Sequence, residues 1–273
     1  MDSLTSAANS TTILASTMAL NKVAQLFKSL HKPGNPVVLA NVYDRLSAKA
    51  VASLPTSKAL ATASYAIAVA AGTTDDDLKL ETNLAAVRNI IPIAKEFQKP
   101  LSVDIQDAYG NQLEEAISSL IDLGVVGVNL EDIDKETQKA YPPDEAAERV
   151  RRVLEVGKQK GVPDFVVNAR CDTLVNGGTL DETISRGKKY LAAGATTIFV
   201  WGGSKRDLSR EEVMTLVKEF DGRLNVMLKM NSDGLTVSQL KDIGVARISV
   251  GPQIQIMAMA AFAKEAEKIL SIL

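Results

Sequence analysis

The 273-residue chain has a single cysteine, Cys171, and therefore no internal disulfide framework, so a reducing, cytoplasmic setting is expected. No block of basic residues stands out and the net charge is −2, which speaks against a nucleic-acid partner. No apolar run approaches the roughly 20 residues of a membrane span, so no membrane partner is expected either. Neither lysine nor arginine precedes Lys22. The opening "MDSLTSAANSTTILASTMAL" thus has neither the basic start of a secretory signal nor the arginines of a mitochondrial presequence. Residues 1–18 read as a flexible arm, followed by one domain over 19–273. No GxGxxG follows any strand-like run, which weakens a doubly wound Rossmann sheet, the runner-up fold.

What the chain does have is a steady alternation. Short β-branched runs begin at Pro36 ("PVVLANV"), Lys58 ("KALATAS"), Pro100 ("PLSVDI") and Val125 ("VVGVNLE"). Four more begin at Asp164 ("DFVVNAR"), Thr196 ("TTIFVW"), Leu224 ("LNVMLKM") and Ala246 ("ARISVGP"). Between them lie amphipathic stretches such as "NLAAVRNIIPIAKEF", "QLEEAISSLIDLG" and "PDEAAERVRRVLEVGKQKG", with Gly as a frequent stop and Pro143 suited to a first helical turn. Eight strand–helix units without a linker predict an α/β fold, a (β/α)8 TIM barrel.

In that fold the C-terminal strand ends carry the chemistry, and side-chain alternation tells which residues point inward. Ser102, Asp104 and Gln106 share one parity on the third strand, Asn129 and Glu131 on the fourth, and Asn168 and Arg170 on the fifth. Asp75 lies in the loop after the second. Carboxylate oxygens without His or Cys neighbours suit Mg2+ (or Mn2+) and fit zinc badly. Arg170 then suits an anionic carboxylate, gripped by its fork. The residues also fit a closed network in which Arg170 neutralises the acids with no metal.

"NVYDRLSA", "VDIQDAYG", "VNLEDID", "VNARCD" and "ISVGP", in that order, resemble the isocitrate lyase/phosphoenolpyruvate mutase superfamily, over roughly residues 20 to 265. The carboxyphosphonoenolpyruvate phosphonomutase-like and 2-methylisocitrate lyase-like members are the nearest in pattern. The resemblance implies a barrel that binds Mg2+ and an α-keto or α-hydroxy carboxylate. It makes Asp104 the principal metal-binding aspartate, Glu131 and Asp75 further acids at the metal, and Arg170 a substrate-binding arginine. It implies that Thr62, Ala63 and Ser64 hold a substrate carboxylate. Gln106 stands where the family has a second acid, so metal affinity should fall. The loop after the fourth strand, "DIDKETQKAYPP", has no Cys or His, so the proton donor of the isocitrate and methylisocitrate lyases is absent.

These readings together predict a Mg2+-dependent C–C lyase or hydrolase acting through an enolate, with Asp104, Glu131 and Arg170 at its centre. Tyr43, Thr62, Ala63, Ser64, Asn168 and Trp201 would line the substrate. A phosphonopyruvate-type mutase and a non-catalytic carboxylate-binding barrel are the alternatives. Cys171 reads as a buried inert thiol, His31 as a helix-end surface residue, and Lys135, Lys139 and Tyr141 as solvated loop residues. The greasy last helix pattern from Gln253 predicts at least a dimer, with Met257, Phe262 and Ile269 among its contacts, and the resemblance implies a homodimer or homotetramer with that helix swapped between subunits.

Overall fold

The first strand run is broken. β1 (Val37–Leu39) and β2 (Asn41–Val42) are two pieces separated by Ala40. β3 (Leu60–Thr62), β4 (Leu101–Asp104) and β5 (Gly127–Glu131) follow, then a small hairpin of β6 (Ile133–Asp134) and β7 (Lys139–Ala140). The remaining strands are β8 (Val166–Cys171), β9 (Thr197–Val200), β10 (Leu224–Met227) and β11 (Arg247–Ser249). This computed structural model describes residues 17–203, 206–230 and 234–272. The 1–18 arm expected from the sequence falls outside them, except that residues 17 and 18 belong to a helix, α1, over 17–30.

The large sheet runs β1-β11-β10-β9-β8-β5-β4-β3-β2, every pair parallel. Its two edges, β1 and β2, are consecutive pieces of one run, so the sheet closes on itself as a (β/α)8 barrel. Each of the eight strand runs in the sequence meets its strand, and only β8 passes the end of its run, by one residue, to Cys171. At the break, the Asn41 side chain takes over from the ladder. Its Oδ1 accepts the N–H groups of Val250 and Gly251, both at 2.9 Å, and its Nδ2 donates to the Thr62 carbonyl at 2.7 Å.

The outer layer comprises α2 (Arg45–Ala52), α3 (Ser64–Ala70), α4 (Leu80–Glu96), α5 (Leu113–Leu123), α6 (Pro143–Gln159), α7 (Leu180–Ala192), α8 (Arg210–Glu219) and α9 (Val237–Ile243). α6 shows the logic: Ala146, Ala147, Val150 and Val153 recur at helical spacing and are buried against the barrel. Ser209 and Thr236 cap α8 and α9 through reciprocal bonds with Glu212 and Gln239, each cap worth about 1 kcal/mol. α10 (Gln253–Leu270) is different, since only Gln255 of its residues is buried.

At the N-terminal end of the strands, Phe27 of α1 plugs the floor. Gly127 makes room for it, because a Cβ there would stand 3.0 Å from the Phe27 ring and 2.9 Å from the Val166 Cβ. Arg247 lies beside it with 0% exposure. Its Nη2 donates to Asn129 Oδ1 at 3.0 Å, its Nη1 lies 3.5 Å from His31 Nε2, and its charge sits 5.9 Å from the Phe27 ring centroid. Burial pulls its pKa down to about 9, and Asp104 above pulls the other way. His31, expected at the surface, instead faces this buried cation. Its Nδ1 is 2.9 Å from the Phe27 carbonyl, an acceptor, so Nδ1 carries the proton and Nε2 is left to accept.

Candidate active site

At the opposite end, β4 finishes in Asp104, and the chain then turns through a costly path. Gln106 (φ 52°), Ala108 (φ 61°) and Tyr109 (φ 58°) all occupy the left-handed region. Each costs an L-residue about 1–3 kcal/mol, so the surroundings must hold the turn in place. Asp107 does much of this. Its Oδ1 accepts the Tyr109 N–H at 3.0 Å and its Oδ2 accepts the Tyr141 hydroxyl at 3.0 Å. Arg149, stacked 4.4 Å from the Tyr141 ring centroid, donates to the carbonyls of Asp107 and Gly110. Asp107 is therefore a strap of the turn, whereas Asp104 belongs to the mouth.

Asp104 is nearly buried at 7% exposure. Its N–H donates to Thr62 Oγ1 at 2.9 Å, its carbonyl accepts from Asn83 at 2.8 Å, and its Oδ2 accepts the Ser64 N–H at 3.0 Å. Its Oδ1 is buried and has no hydrogen-bond partner among the described residues. The Ser64 side chain also favours the charged form of Asp75. Burial and the charge on Asp104 push the Asp75 carboxyl above its ordinary pKa.

Glu131 ends β5, level with Arg170 of β8. Their ion pair is 2.6 Å long, and Arg170 Nε donates to Asp172 Oδ1 at 2.8 Å. The guanidinium lies 4.9 Å from the Trp201 ring centroid and 5.6 Å from that of Phe199, within cation–π range. Two acids at its edge and two rings beside it fix the fork, and Nη2 has no partner among the described residues. Burial opposes the arginine's charge, but Asp172 and Glu131 together hold its pKa above the ordinary value. Burial pushes Glu131 well above the carboxylate range. Arg170 pulls it back, and Asp172, Asp104 and Asp75 push further.

The mouth thus gathers Thr62, Ser64, Asp75, Asp104, Gln106, Glu131, Arg170 and Trp201, with Ala63 buried beneath. The Ser64 amide, expected to hold a substrate carboxylate, is occupied by Asp104 instead. Asn168 corrects the sequence reading more sharply. It is fully buried one layer below Arg170, its Nδ2 on Asn129 at 2.7 Å and its Oδ1 accepting from Thr197 at 2.6 Å. Both ends of its amide serve the barrel interior. Tyr43 packs beside Ile67, Ala68 and Leu78 and makes no hydrogen bond to the acids. Cys171 is buried 3.3 Å from the Thr173 hydroxyl, and burial pushes its thiol up, as an inert thiol requires.

Two mouth residues went unread in the sequence. Asp172 shares the parity of Arg170, two positions on, and alternation alone would have found it. Lys135, read as solvated, instead reaches in from the turn between β6 and β7. Its Nζ donates to the carbonyls of Asp75 (2.9 Å) and Leu78 (3.0 Å) and to Gln106 Oε1. Only the folded hairpin sets that destination.

A divalent ion fits this donor set in a particular way. At this end Asp75, Asp104, Glu131 and Asp172 stand beside two cations, Arg170 and Lys135, so among the described residues acids outnumber cations, and Asp104 Oδ1 is in want of a partner. Among the described residues no three His, Cys, Asp or Glu side chains converge to hold a metal by themselves. Asp104 would be the direct ligand, with Asp75, Gln106 and Glu131 acting through water.

A closed parallel barrel with an acid-rich mouth and one clamped arginine defines a class, the (β/α)8 barrels whose polar side chains gather at the C-terminal strand ends. The chain belongs to the phosphoenolpyruvate phosphomutase family, whose description matches residues 27–270, within the isocitrate lyase/phosphoenolpyruvate mutase superfamily. It is 31% identical over 228 residues to an uncharacterised Mycobacterium tuberculosis protein, covering 82% of this chain and 81% of that one. It is 31% identical over 130 residues to the 2-methylisocitrate lyase of Escherichia coli, covering 45% of this chain and 44% of the lyase. A crystal structure of a Burkholderia cenocepacia protein assigned as a phosphonomutase superposes with a TM-score of 0.82 at 32% identity, covering 91% of this chain and 99% of that one. Lyases and mutases thus make up its company. No helix among the described residues is long and apolar enough to cross a membrane.

Proposed function

We propose that the chain is a Mg2+- or Mn2+-dependent enzyme that breaks a C–C bond in a small 2-oxo or 2-hydroxy carboxylate, as a lyase or hydrolase. The observation that carries this reading is the unpartnered Asp104 Oδ1 in a mouth with excess acid. When bound, the ion supplies Lewis-acid stabilisation of negative charge developing on substrate oxygen. Arg170 offers its free Nη2 to the substrate carboxylate, and its rings and acids spare it any reorganisation during reaction. Glu131 fixes that fork from one side, and Trp201 walls the pocket. A phosphonopyruvate mutase is the second reading, favoured by the family's own description.

Two measurements test it. Titration calorimetry with Mg2+ or Mn2+, with oxalate as an enolate mimic, should show one site per chain that is lost in Asp104→Ala. Oxaloacetate, 2-methylisocitrate, dimethylmalate and phosphonopyruvate should then be screened with the metal. Consumption of phosphonopyruvate alone selects the mutase. If no acid is consumed, the barrel is a carboxylate binder and the enzyme reading falls.

We also propose that the chain is at least a dimer, joined through α10. Ile256, Met257, Met259, Phe262, Ile269 and Leu270 are each more than half exposed, an apolar surface on one helix that a monomer would leave in water. Light scattering at micromolar concentration should show a species larger than one chain, and Phe262→Glu with Met257→Glu should shift it toward monomer. A stable wild-type monomer would end this proposal.

A further inference from the structure

Gln106 looks at first like a lost metal ligand, because an amide stands where an acid was expected. Its surroundings say otherwise. Nε2 donates to both the carbonyl (2.8 Å) and the Oδ1 (3.0 Å) of Asp75. Oε1 accepts from Lys135. The amide orientation is fixed by these partners, since two acceptors face one end and an ammonium the other. A carboxylate at this position has no hydrogen to give Asp75 and would set a second negative charge against it. An amide alone meets a donor and an acceptor at once.

Lys135 is equally committed. Its three ammonium hydrogens meet three oxygens, those of Asp75, Leu78 and Gln106, all of them uncharged acceptors. No carboxylate among the described residues forms an ion pair with it, so its charge is not cancelled locally and acts on the mouth as a whole. The lysine comes from the turn of the β6–β7 hairpin. Beyond it, Tyr141 is tied to Asp107 (3.0 Å) and, through its carbonyl, to Arg186 (2.9 Å). The hairpin is therefore anchored at its C-terminal root and held at its turn by the Lys135 side chain, with a longer bond from the Lys135 N–H to Asp107 Oδ2 (3.4 Å) beside it.

We propose that Gln106 and Lys135 form a latch that holds the β6–β7 hairpin against the mouth, with Lys135 a positioning residue whose ammonium offsets part of the acid excess at the divalent-ion site. The charge half of this inference rests on the metal reading above, whereas the latch half does not. An acid at position 106 was not simply lost. An amide and a lysine together replace it, placing the compensating charge on the hairpin. Divalent-ion affinity is then tied to whether the hairpin is down.

Hydrogen exchange on the metal-free protein tests the latch. Lys135→Met should raise amide exchange across residues 133–140 by about tenfold and Gln106→Leu, which leaves the Asp75 and Leu78 carbonyls to the lysine, by about threefold, with α1 at the floor unchanged. The double variant should be no faster than Lys135→Met alone, because that substitution already removes the bond the two residues share. Mn2+ binding, followed by the electron-resonance signal of the free ion, tests the charge. Lys135→Met should tighten Mn2+ by about 3–10-fold, and Lys135→Arg, which keeps the charge, should stay near wild type. A structural role alone would not separate those two variants. Unchanged hairpin exchange in both single variants overturns the latch. Equal Mn2+ affinity in Lys135→Met and wild type overturns the charge role. If no protein binds Mn2+ even with oxalate, the metal reading falls, and the exchange result alone decides the latch.

Discussion

Both ends of this barrel bury charge, and they do so with opposite sign. At the floor, Arg247 has 0% exposure and is surrounded by an amide, a neutral imidazole and a phenyl ring. At the mouth, carboxylates outnumber cations and one oxygen has no partner among the described residues. The floor is sealed by α1, so nothing from solvent can complete it, and its imbalance is a fixed feature of the fold. The mouth lies at the C-terminal strand ends, where barrels of this fold take their ligands, so its imbalance can be met on binding. The same electrostatic fact is scaffolding at one end and an invitation at the other. Asn129 joins them, accepting from Arg247 (3.0 Å) and from Asn168 (2.7 Å) one layer below the site.

The contrast can be broken most forcefully at Arg170. Arg170→Lys should cut turnover by about 10²–10³, the scale of losing one preorganised donor, while thermal stability stays near wild type. Arg170→Ala should in addition lose about 3–5 kcal/mol of stability in chemical denaturation, because Glu131 and Asp172 are left buried and unpaired. Equal turnover in Arg170→Lys and wild type would mean that the fork does no chemistry.

Asp104→Asn separates the ends in the other direction. Removing one mouth carboxylate should abolish divalent-ion binding yet stabilise the metal-free protein by about 1–2 kcal/mol at pH 8, since Asp75 and Glu131 lose a like-charged neighbour. Denaturant titration with and without Mg2+ checks both halves. A less stable variant would show that the mouth carries no excess repulsion.

The floor should declare itself through pH. Burial and Arg247 lower the His31 pKa from 6.5 to about 3, against the pull of the Phe27 carbonyl. Between those values the unfolded chain binds the proton and the folded one does not. This ring's contribution is therefore complete above pH 6.5 and drains away as the pH falls toward 3. About 1 kcal/mol from this ring should go between pH 6.5 and 5.5. His31 is the only histidine of the chain, and a His31→Gln variant should flatten that slope. An unchanged slope would take the ring out of the floor.

The smallest effect belongs to the turn that links β4 to the rest of the mouth. Ala108→Gly relieves a left-handed residue (φ 61°) but gives up a fully buried methyl group. The two should nearly cancel, leaving stability within about 1 kcal/mol of wild type by denaturation.

Much of this architecture can be read from the residues alone, because its signals are local. β-branched runs mark all eight strands, and alternation along them picks out Asp104, Glu131 and Arg170. Alternation gives the face of a strand but not the depth. Asn168 shares its face with Arg170 yet lies one layer lower, fully buried, with its amide spent on Asn129 and Thr197. Residues whose place depends on docking are harder still. His31 reaches Arg247 only because Gly127 admits α1 to the floor. Lys135 enters the mouth only because a hairpin of two-residue strands turns it there. Neither contact leaves a periodicity in the sequence.

The break at Ala40 carries a consequence for inheritance. This barrel is a ribbon joined at its ends, and the upper part of the join is a single asparagine amide that touches backbone from the loop after β11 and from β3. A helix or loop elsewhere can be exchanged between relatives as a cassette, because the ladder beside it is continuous. A cassette cut at the join must bring Asn41 together with both of the backbones it spans. Recombination that separates the first strand from the last would therefore yield a barrel whose strands are all present but whose upper rim stays open.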